Sequence, residues 1–140
     1  MGIVIRILGE NVKPSKYIIV MTKIYKGEEK KFAINLTAVG FSMDDNDFEI
    51  EVATPKGGVK ASKSEPTEDL RIFREPALSD SSDSSSSGDE GTWYGIIDTS
   101  KLPGTGEVKV VGTAFVPDVN ANDGIRNEIA VDILGNLVNP

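Results

Sequence analysis

Hydrophobic and polar residues alternate along much of this chain, most clearly in two segments of its first half. Lys31–Ala38 (KFAINLTA) has apolar side chains at nearly every second position, and Asp47–Thr54 (DFEIEVAT) alternates more strictly. A period of two is typical of a β-strand with one buried face. The Asp- and Asn-rich residues 42–47 between them predict a turn. We therefore expect the two segments to be neighbouring antiparallel strands.

Further short segments are rich in β-branched or aromatic residues, and Gly, Pro, Asn and Asp separate them. They are Gly2–Leu8, Lys16–Tyr25, Val59–Ser62, Leu70–Phe73, Thr92–Asp98, Glu107–Val116 and Arg126–Ile133. No segment has a convincing helical period over about ten residues. Short strands at this spacing predict an all-β protein, either a sandwich or a barrel.

The last predicted strands carry the most specific expectations. Both faces of Glu107–Val116 are fairly apolar, which indicates a central strand. In Arg126–Ile133, every second residue shares one face; these are Asn127, Ile129, Val131 and Ile133. The following Leu134–Asn136 (LGN) predicts a turn into a short tail.

A length of 140 residues favours a single domain. Within it, residues 1–25 are expected to form an N-terminal strand or arm, and residues 26–140 the β-structure. Residues 75–91 (EPALSDSSDSSSSGDEG) are acidic, rich in Ser and have little to bury. This composition predicts a flexible loop inserted into the domain.

The charge excludes one class of partner. The chain has 22 acidic and 15 basic residues, for a net charge of −7. Nucleic-acid binding requires basic residues opposite the phosphates, so no nucleic-acid partner is expected. Residues 1–41 are net basic and residues 42–90 strongly acidic, which either steers head-to-tail packing of copies or marks a solvated acidic loop.

The absence of His and Cys bears on catalysis. The chain lacks the commonest general base and the thiol nucleophile, and no carboxylate pair stands out, so we expect neither an enzyme nor a cofactor. Asp44, Asp45 and Asp47 form one acidic cluster, for which a solvated turn is a simpler interpretation than a metal site.

A second group of oxygen-bearing residues begins like a calcium loop; it comprises Asp118, Asn120, Asn122 and Asp123. The match fails in detail, because Gly124 comes one position late and Ile129 stands where the bidentate Glu belongs. These four residues are therefore only weak metal candidates, and we expect no metal ion.

Two aromatic residues are candidates for ligand contact. Trp93 and Tyr94 offer a platform on which a sugar ring stacks, but alternation places them on opposite faces, so one is expected in the core. Gly2–Leu8 is too short for a signal peptide and no run is long enough to span a membrane. A soluble protein made in the cytosol, without a membrane partner, is expected.

Several short motifs give the second half of the chain a familiar order. They are Asp98-Thr99-Ser100 with Leu102 and Gly106, then Val116-Pro117-Asp118, and finally Asp123-Gly124 with Arg126. Over roughly residues 24–133 the chain resembles small immunoglobulin-like modules in structural proteins of tailed phages. These include baseplate and fibre proteins of crAss-like phages of Bacteroidales. The long Ser-rich insert departs from that pattern.

The resemblance implies an immunoglobulin-like antiparallel β-sandwich with an acidic Ser-rich loop insertion. It implies a virion structural protein, such as a collar or head spike, a fibre anchor or a decoration subunit. Such a protein is made in the bacterial cytoplasm, binds other virion subunits and forms a homo-oligomer. The edge residues expected at the interface are Ile3, Val4, Ile5 and Ile7. The alternative is a β-sandwich that binds carbohydrate or another host-surface ligand.

Overall fold

The structure is a computed structural model that describes residues 4–8, 22–75 and 92–140. Alternating side chains and intervening turns divide these residues into short strands. The strands are β1 (Val4–Leu8), β2 (Lys23–Tyr25), β3 (Glu29–Thr37), β4 (Phe48–Thr54), β5 (Gly57–Ser62), β6 (Leu70–Glu75), β7 (Thr92–Asp98), β8 (Gly106–Pro117) and β9 (Ile125–Val138). A 3-10 turn, Thr99–Lys101, lies between β7 and β8.

The strands form two sheets that pack as a sandwich. The four-stranded sheet has the order β1-β3-β7-β6, and the five-stranded sheet has the order β2-β9-β8-β4-β5. The predicted all-β sandwich is therefore confirmed. The pairings are antiparallel except that of β2, which runs parallel to the end of β9 from Asn136 to Val138.

The core lies between the sheets and is filled by the inward positions of both. Phe32 on β3, Phe48 and Ile50 on β4, and Val110 on β8 have at most 1% of their surface exposed. Burial in β4 alternates at every residue, as its sequence predicted. Close packing of these side chains supplies the main stabilising term, since the chain has no disulfide.

The expected pairing of the two most regular strands is wrong. β3 belongs to the four-stranded sheet and β4 to the five-stranded sheet, so they face each other across the core. Residues 38–47 cross between the sheets; they do not form a hairpin. Alternation shows that a strand has one buried face, but it carries no information about which strand lies beside it.

The predicted turn at Leu134–Asn136 is also wrong, because β9 continues through it to Val138. The pairing with β8 shifts between Val108 and Lys109, so one extra residue of β9 is inserted at Leu134. Such a β-bulge reverses the alternation beyond it. Leu137, which would otherwise share the solvent face with Ile133, is buried as a result.

The ends of several strands differ from the prediction. Of the predicted strands Gly2–Leu8 and Lys16–Tyr25, the described residues contain Val4–Leu8 and Lys23–Tyr25, and the rest lies outside them except for Thr22, which is not in a strand. The central position predicted for β8, between β9 and β4, is confirmed. The predicted flexible loop lies outside the described residues except for Glu75, which ends β6.

Candidate functional site

The outer face of β9 carries an exposed row of large apolar side chains. The exposed fractions are 50% for Ile125, 62% for Ile129, 56% for Val131 and 45% for Ile133. They share a face with Asn127, as the alternation predicted, but this is the solvent face of the sheet. We call Ile125, Ile129, Val131 and Ile133 the β9 row.

The β9 row is exposed because other residues fill the inner positions of the strand. Arg126, Glu128, Ala130 and Asp132 alternate with the row and are partly buried. The apolar surface continues onto β8, where Val111 pairs with Val131 and Thr113 pairs with Ile129. Contiguous apolar surface of this kind marks interaction sites more often than isolated apolar residues do.

Among the described residues, the two sides of β9 are paired to different lengths. β2 pairs only with Asn136–Val138, whereas β8 pairs along the whole of β9. Within the described residues, Ile125–Ile133 therefore has a strand on one side only. We call this stretch the β9 edge.

The turn before β9 is held by its own side chains. The Asp118 carboxylate accepts a hydrogen bond from the Asn120 amide at 2.9 Å and another from the Arg126 guanidinium. Arg126 also donates to Glu128 at 2.8 Å. The Asn120 bond first, and the Arg126 bond second, hold the pKa of Asp118 below its usual value of 3.8.

These contacts bear on the weak metal candidates. Asp118 is engaged by Arg126, while Asn122 and Asp123 line a shallow open depression beside Phe115, Ile125 and Asn127. In the described ranges, no three Asp, Glu, His or Cys side chains group as metal ligands. Of these four residues, Asp118 contacts Arg126 and orients it at the start of β9.

The acidic turn at residues 42–47 surrounds a lysine. The Lys63 ammonium donates to the carbonyl oxygens of Met43, Asp44 and Asn46 at 3.0, 2.8 and 3.0 Å. Asp47 accepts hydrogen bonds from the backbone and the hydroxyl of Ser64. Lys63 thus occupies the place that a cation would take among these carbonyl oxygens, and sequence spacing could not have revealed so distant a donor.

Trp93 lies at the end of the core. Its ring meets Phe48 edge to face at a centroid distance of 5.5 Å, and its indole N–H donates to the Asp44 carboxylate at 2.8 Å. The Lys63 ammonium lies 5.5 Å from the ring centroid. Both the polar group and the ring of Trp93 therefore have partners within the chain.

Tyr94 points to the outer face of the four-stranded sheet, as alternation requires. Its ring stacks with Phe73 at 6.0 Å, and the Lys31 ammonium lies 4.3 Å from its centroid. Lys31 also pairs with Glu75 at 3.0 Å. A sugar stacking on Tyr94 would have to displace these neighbours.

The N-terminal interface residues lie at the edge of the other sheet. Val4, Ile5 and Ile7 belong to β1, which pairs with β3 on one side and ends the four-stranded sheet. Ile5 and Ile7 stand in register with Leu36 and Ile34. Ile3 lies outside the described residues, and the interface role of all four remains a prediction.

Comparison with known proteins adds no relative. No protein-family model matches the chain, and comparisons with curated proteins and with solved structures find no match either. In the described part of the chain, no helix is long and apolar enough to cross a membrane. The argument for function therefore depends on the surfaces described above.

Proposed function

We propose that this protein is a structural subunit of a phage virion that acts by binding other subunits, not by catalysis. The observation that carries the assembly role is the β9 row, whose four large apolar side chains are 45–62% exposed on one strand. Removing such surface from water is favourable in proportion to the area buried. A partner that covers the row gains this free energy.

The strand order supports an immunoglobulin-like form of the sandwich. In that fold one sheet has the strand order A-B-E-D, and the other contains G, F, C and C′. Here β1-β3-β7-β6 and β9-β8-β4-β5 follow the same two orders. The parallel strand β2 extends the second sheet beside β9.

The motifs behind the phage resemblance have folding roles in this chain. The buried Thr99 hydroxyl donates to the Glu28 carbonyl at 2.6 Å and accepts from the Gly27 amide at 2.9 Å. Asp98 accepts from the Ser100 amide and caps the 3-10 turn. These contacts join β7 to the turn before β3, so they support a shared module, while the virion assignment depends on the resemblance.

Quantitative mass spectrometry of purified phage particles that encode this chain tests the proposal. We expect a fixed copy number relative to the major capsid and portal subunits, equal to a symmetry number of the capsid, collar or tail. Absence of the chain from clean particles, with the chain present in infected cells, would refute a virion role.

Binding of a host-surface glycan is the second candidate function. The depression lined by Phe115, Asn122, Asp123 and Asn127 combines an aromatic ring with amide and carboxylate groups, as sugar sites do. A glycan array with the wild-type chain and Phe115→Ala tests it. The expected result is binding that Phe115→Ala abolishes while the circular dichroism spectrum is unchanged. Equal binding by the wild type and the variant would show that the glycan does not bind in this depression.

A further inference from the structure

We propose that two copies of this chain stack their five-stranded sheets face to face through the outer surface of β8 and β9. This inference rests on the proposed virion role, because a structural subunit is present in several identical copies, and it names a second copy as the partner. The contact uses the face of the sheet, so it makes no demand on the β9 edge or on the N-terminal strand.

The outer surface of β8 and β9 has an uncharged centre. The β9 row and Asn127 occupy every outer position of β9 before the bulge, and none of these residues carries a charge. The outer positions beside them on β8 are Val111, Thr113 and Phe115, which are partly exposed. Although 26% of the residues in the chain are charged, this surface has the depletion of charge that is typical of interface centres.

Charged side chains lie at the two borders of this surface. Glu49 and Glu51 on β4 stand in register with Thr113 and Val111 and form an acidic border, although Glu49 also pairs with Lys60. At the opposite border, Lys23 on β2 is exposed beside the end of β9. The two borders therefore differ in the sign of their charge.

These charges select one of the two symmetrical ways of stacking the sheets. A two-fold axis across the strands sets β4 of one copy over β4 of the other, so that Glu49 and Glu51 face a second acidic pair. A two-fold axis along the strands, between β8 and β9, sets the β4 border over the β2 border instead. Like charges that face each other across an interface are destabilising, so the axis along the strands is favoured.

This axis sets each outer residue of β9 opposite the β8 residue that pairs with it inside one chain. Val131 pairs with Val111, and Ile129 pairs with Thr113. In the stack, Val131 meets Val111 of the second copy and Ile129 meets its Thr113, with about 10 Å between the sheets. The stack also covers Phe115, so it excludes glycan binding in the depression beside that ring.

The area of the surface sets the expected strength of the contact. The β9 row, with four large side chains 45–62% exposed, belongs with the largest apolar patches of typical monomers, which cover roughly 300–600 Å². Two such patches bury about 600–1,200 Å² together, whereas stable specific complexes bury roughly 1,200–2,000 Å². The stack should therefore be weak in dilute solution and form where identical subunits are held side by side.

A single introduced thiol tests whether a second copy covers the face, because the chain has no cysteine of its own. With the reagent in fixed excess, we expect a maleimide to label Ile129→Cys rapidly at about 5 µM protein and several-fold more slowly at about 500 µM. Val119→Cys is the matched control, because Val119 is 95% exposed in the turn before β9. This control should be labelled equally fast at both concentrations.

The labelling rates separate the possible occupants of the face. Rapid labelling of Ile129→Cys at both concentrations would show that the face stays free and would overturn the stack. Slow labelling at both concentrations would show that other residues of the same chain cover the face, which overturns the stack as well.

A pair of charge variants tests the register. Ile129→Glu and Thr113→Lys each place an unpaired charge in the stack, so each variant alone should associate about tenfold more weakly than the wild type. Both positions lie on the outer face, and the lysine introduced at position 113 lies beside Glu49, so both variants should fold. In an equimolar mixture the two introduced charges meet across the stack, and the dimer should be recovered.

Sedimentation velocity from about 5 to about 500 µM measures this association. Two variants that are folded by circular dichroism but fail to associate when mixed would overturn the register. A wild-type chain that is monomeric throughout but stoichiometric in particles refutes the stack alone. A chain that dimerises through this face but is absent from particles refutes the virion role alone.

Discussion

At the scale of single residues, Lys63 holds the turn of residues 42–47 at one end of the sandwich. Its ammonium donates to the carbonyl oxygens of Met43, Asp44 and Asn46 and lies near the Trp93 ring. The acidic turn is thus closed by a cation that the chain itself supplies. An Asp-rich turn in a sequence is therefore insufficient evidence for a metal site.

Replacing Lys63 with Met tests this role. Met keeps the apolar stem but removes the donors of three hydrogen bonds, so we expect a loss of about 1–3 kcal/mol in the free energy of unfolding. Lys60→Met is the control, because Lys60 is exposed and its ammonium makes only a surface ion pair with Glu49, at 3.8 Å. The control should change stability by less than about 1 kcal/mol. Urea unfolding measures both, and equal losses would contradict the role.

Asp118 gives the turn before β9 a dependence on pH. Its pKa is lowered in the folded chain, so the unfolded chain takes up a proton first. The stabilisation that the Asp118 carboxylate gives the folded chain is complete above pH 3.8. It is lost as the pH falls through the lower pKa of the folded chain. We expect the Asn120 amide resonance to shift in that range, as followed by NMR.

The variant Asp118→Asn should abolish the shift at Asn120. The pKa of Asp98, lowered mainly by the Ser100 hydroxyl and then by the Ser100 amide, provides an internal control. The Ser100 resonance should still titrate in the variant. A shift at Asn120 that persists without the carboxyl group would show that another residue causes it.

At the scale of elements, the β-bulge at Leu134 makes β9 a strand with two different halves. Before the bulge, Ile129, Val131 and Ile133 face solvent; after it, Leu137 faces the core. The second half is also closed in by β2. The chain entering β2 can come this close to β9 because residue 135 is a glycine. A Cβ at that position would lie 2.5 Å from the Thr22 carbonyl oxygen.

The two halves of β9 should respond differently to the same truncation. Leu137→Ala removes a side chain that is 1% exposed and should cost about 2–5 kcal/mol of unfolding free energy. Ile129→Ala, at 62% exposure, should cost at most about 1 kcal/mol, mainly through lower strand propensity. Thermal and urea unfolding at low protein concentration measure both. Similar losses would contradict the described burial of β9.

At the scale of the whole molecule, a single core couples the two sheets. Trp93 on β7 meets Phe48 on β4 across the sandwich, and its indole N–H is bonded to the turn that joins the sheets. The protein should therefore unfold as one unit. The single domain expected from the length of the chain predicts the same behaviour.

Unfolding followed by Trp93 fluorescence and by far-ultraviolet circular dichroism should give one coincident transition. Trp93 is the only tryptophan, so its fluorescence reports the junction between the sheets. Trp93→Phe, which keeps an aromatic ring but loses the hydrogen bond, should lower the midpoint of the circular dichroism transition and leave it a single step. Two distinct transitions in the wild type would show that the sheets unfold independently.

The sequence by itself determined the class of the fold and the content of most strands. Alternation in Asp47–Thr54 and the apolar faces of Glu107–Val116 identified buried strands, because side chains on a strand alternate between two environments. The turns at residues 42–47 and 118–124 were likewise marked by Asp, Asn and Gly, whose local backbone preferences do not depend on the rest of the chain.

Only the tertiary structure decided which strands are neighbours and which face of β9 is buried. The separation of β3 from β4, the bulge at Leu134 and the donor for the acidic turn all depend on residues far apart in sequence. The apolar residues of the β9 row recur with the same period of two as those of a buried strand face, so the sequence does not distinguish the two. The β9 row is exposed because no described element covers it. Periodicity shows that residues share a face, but it does not show what lies against that face.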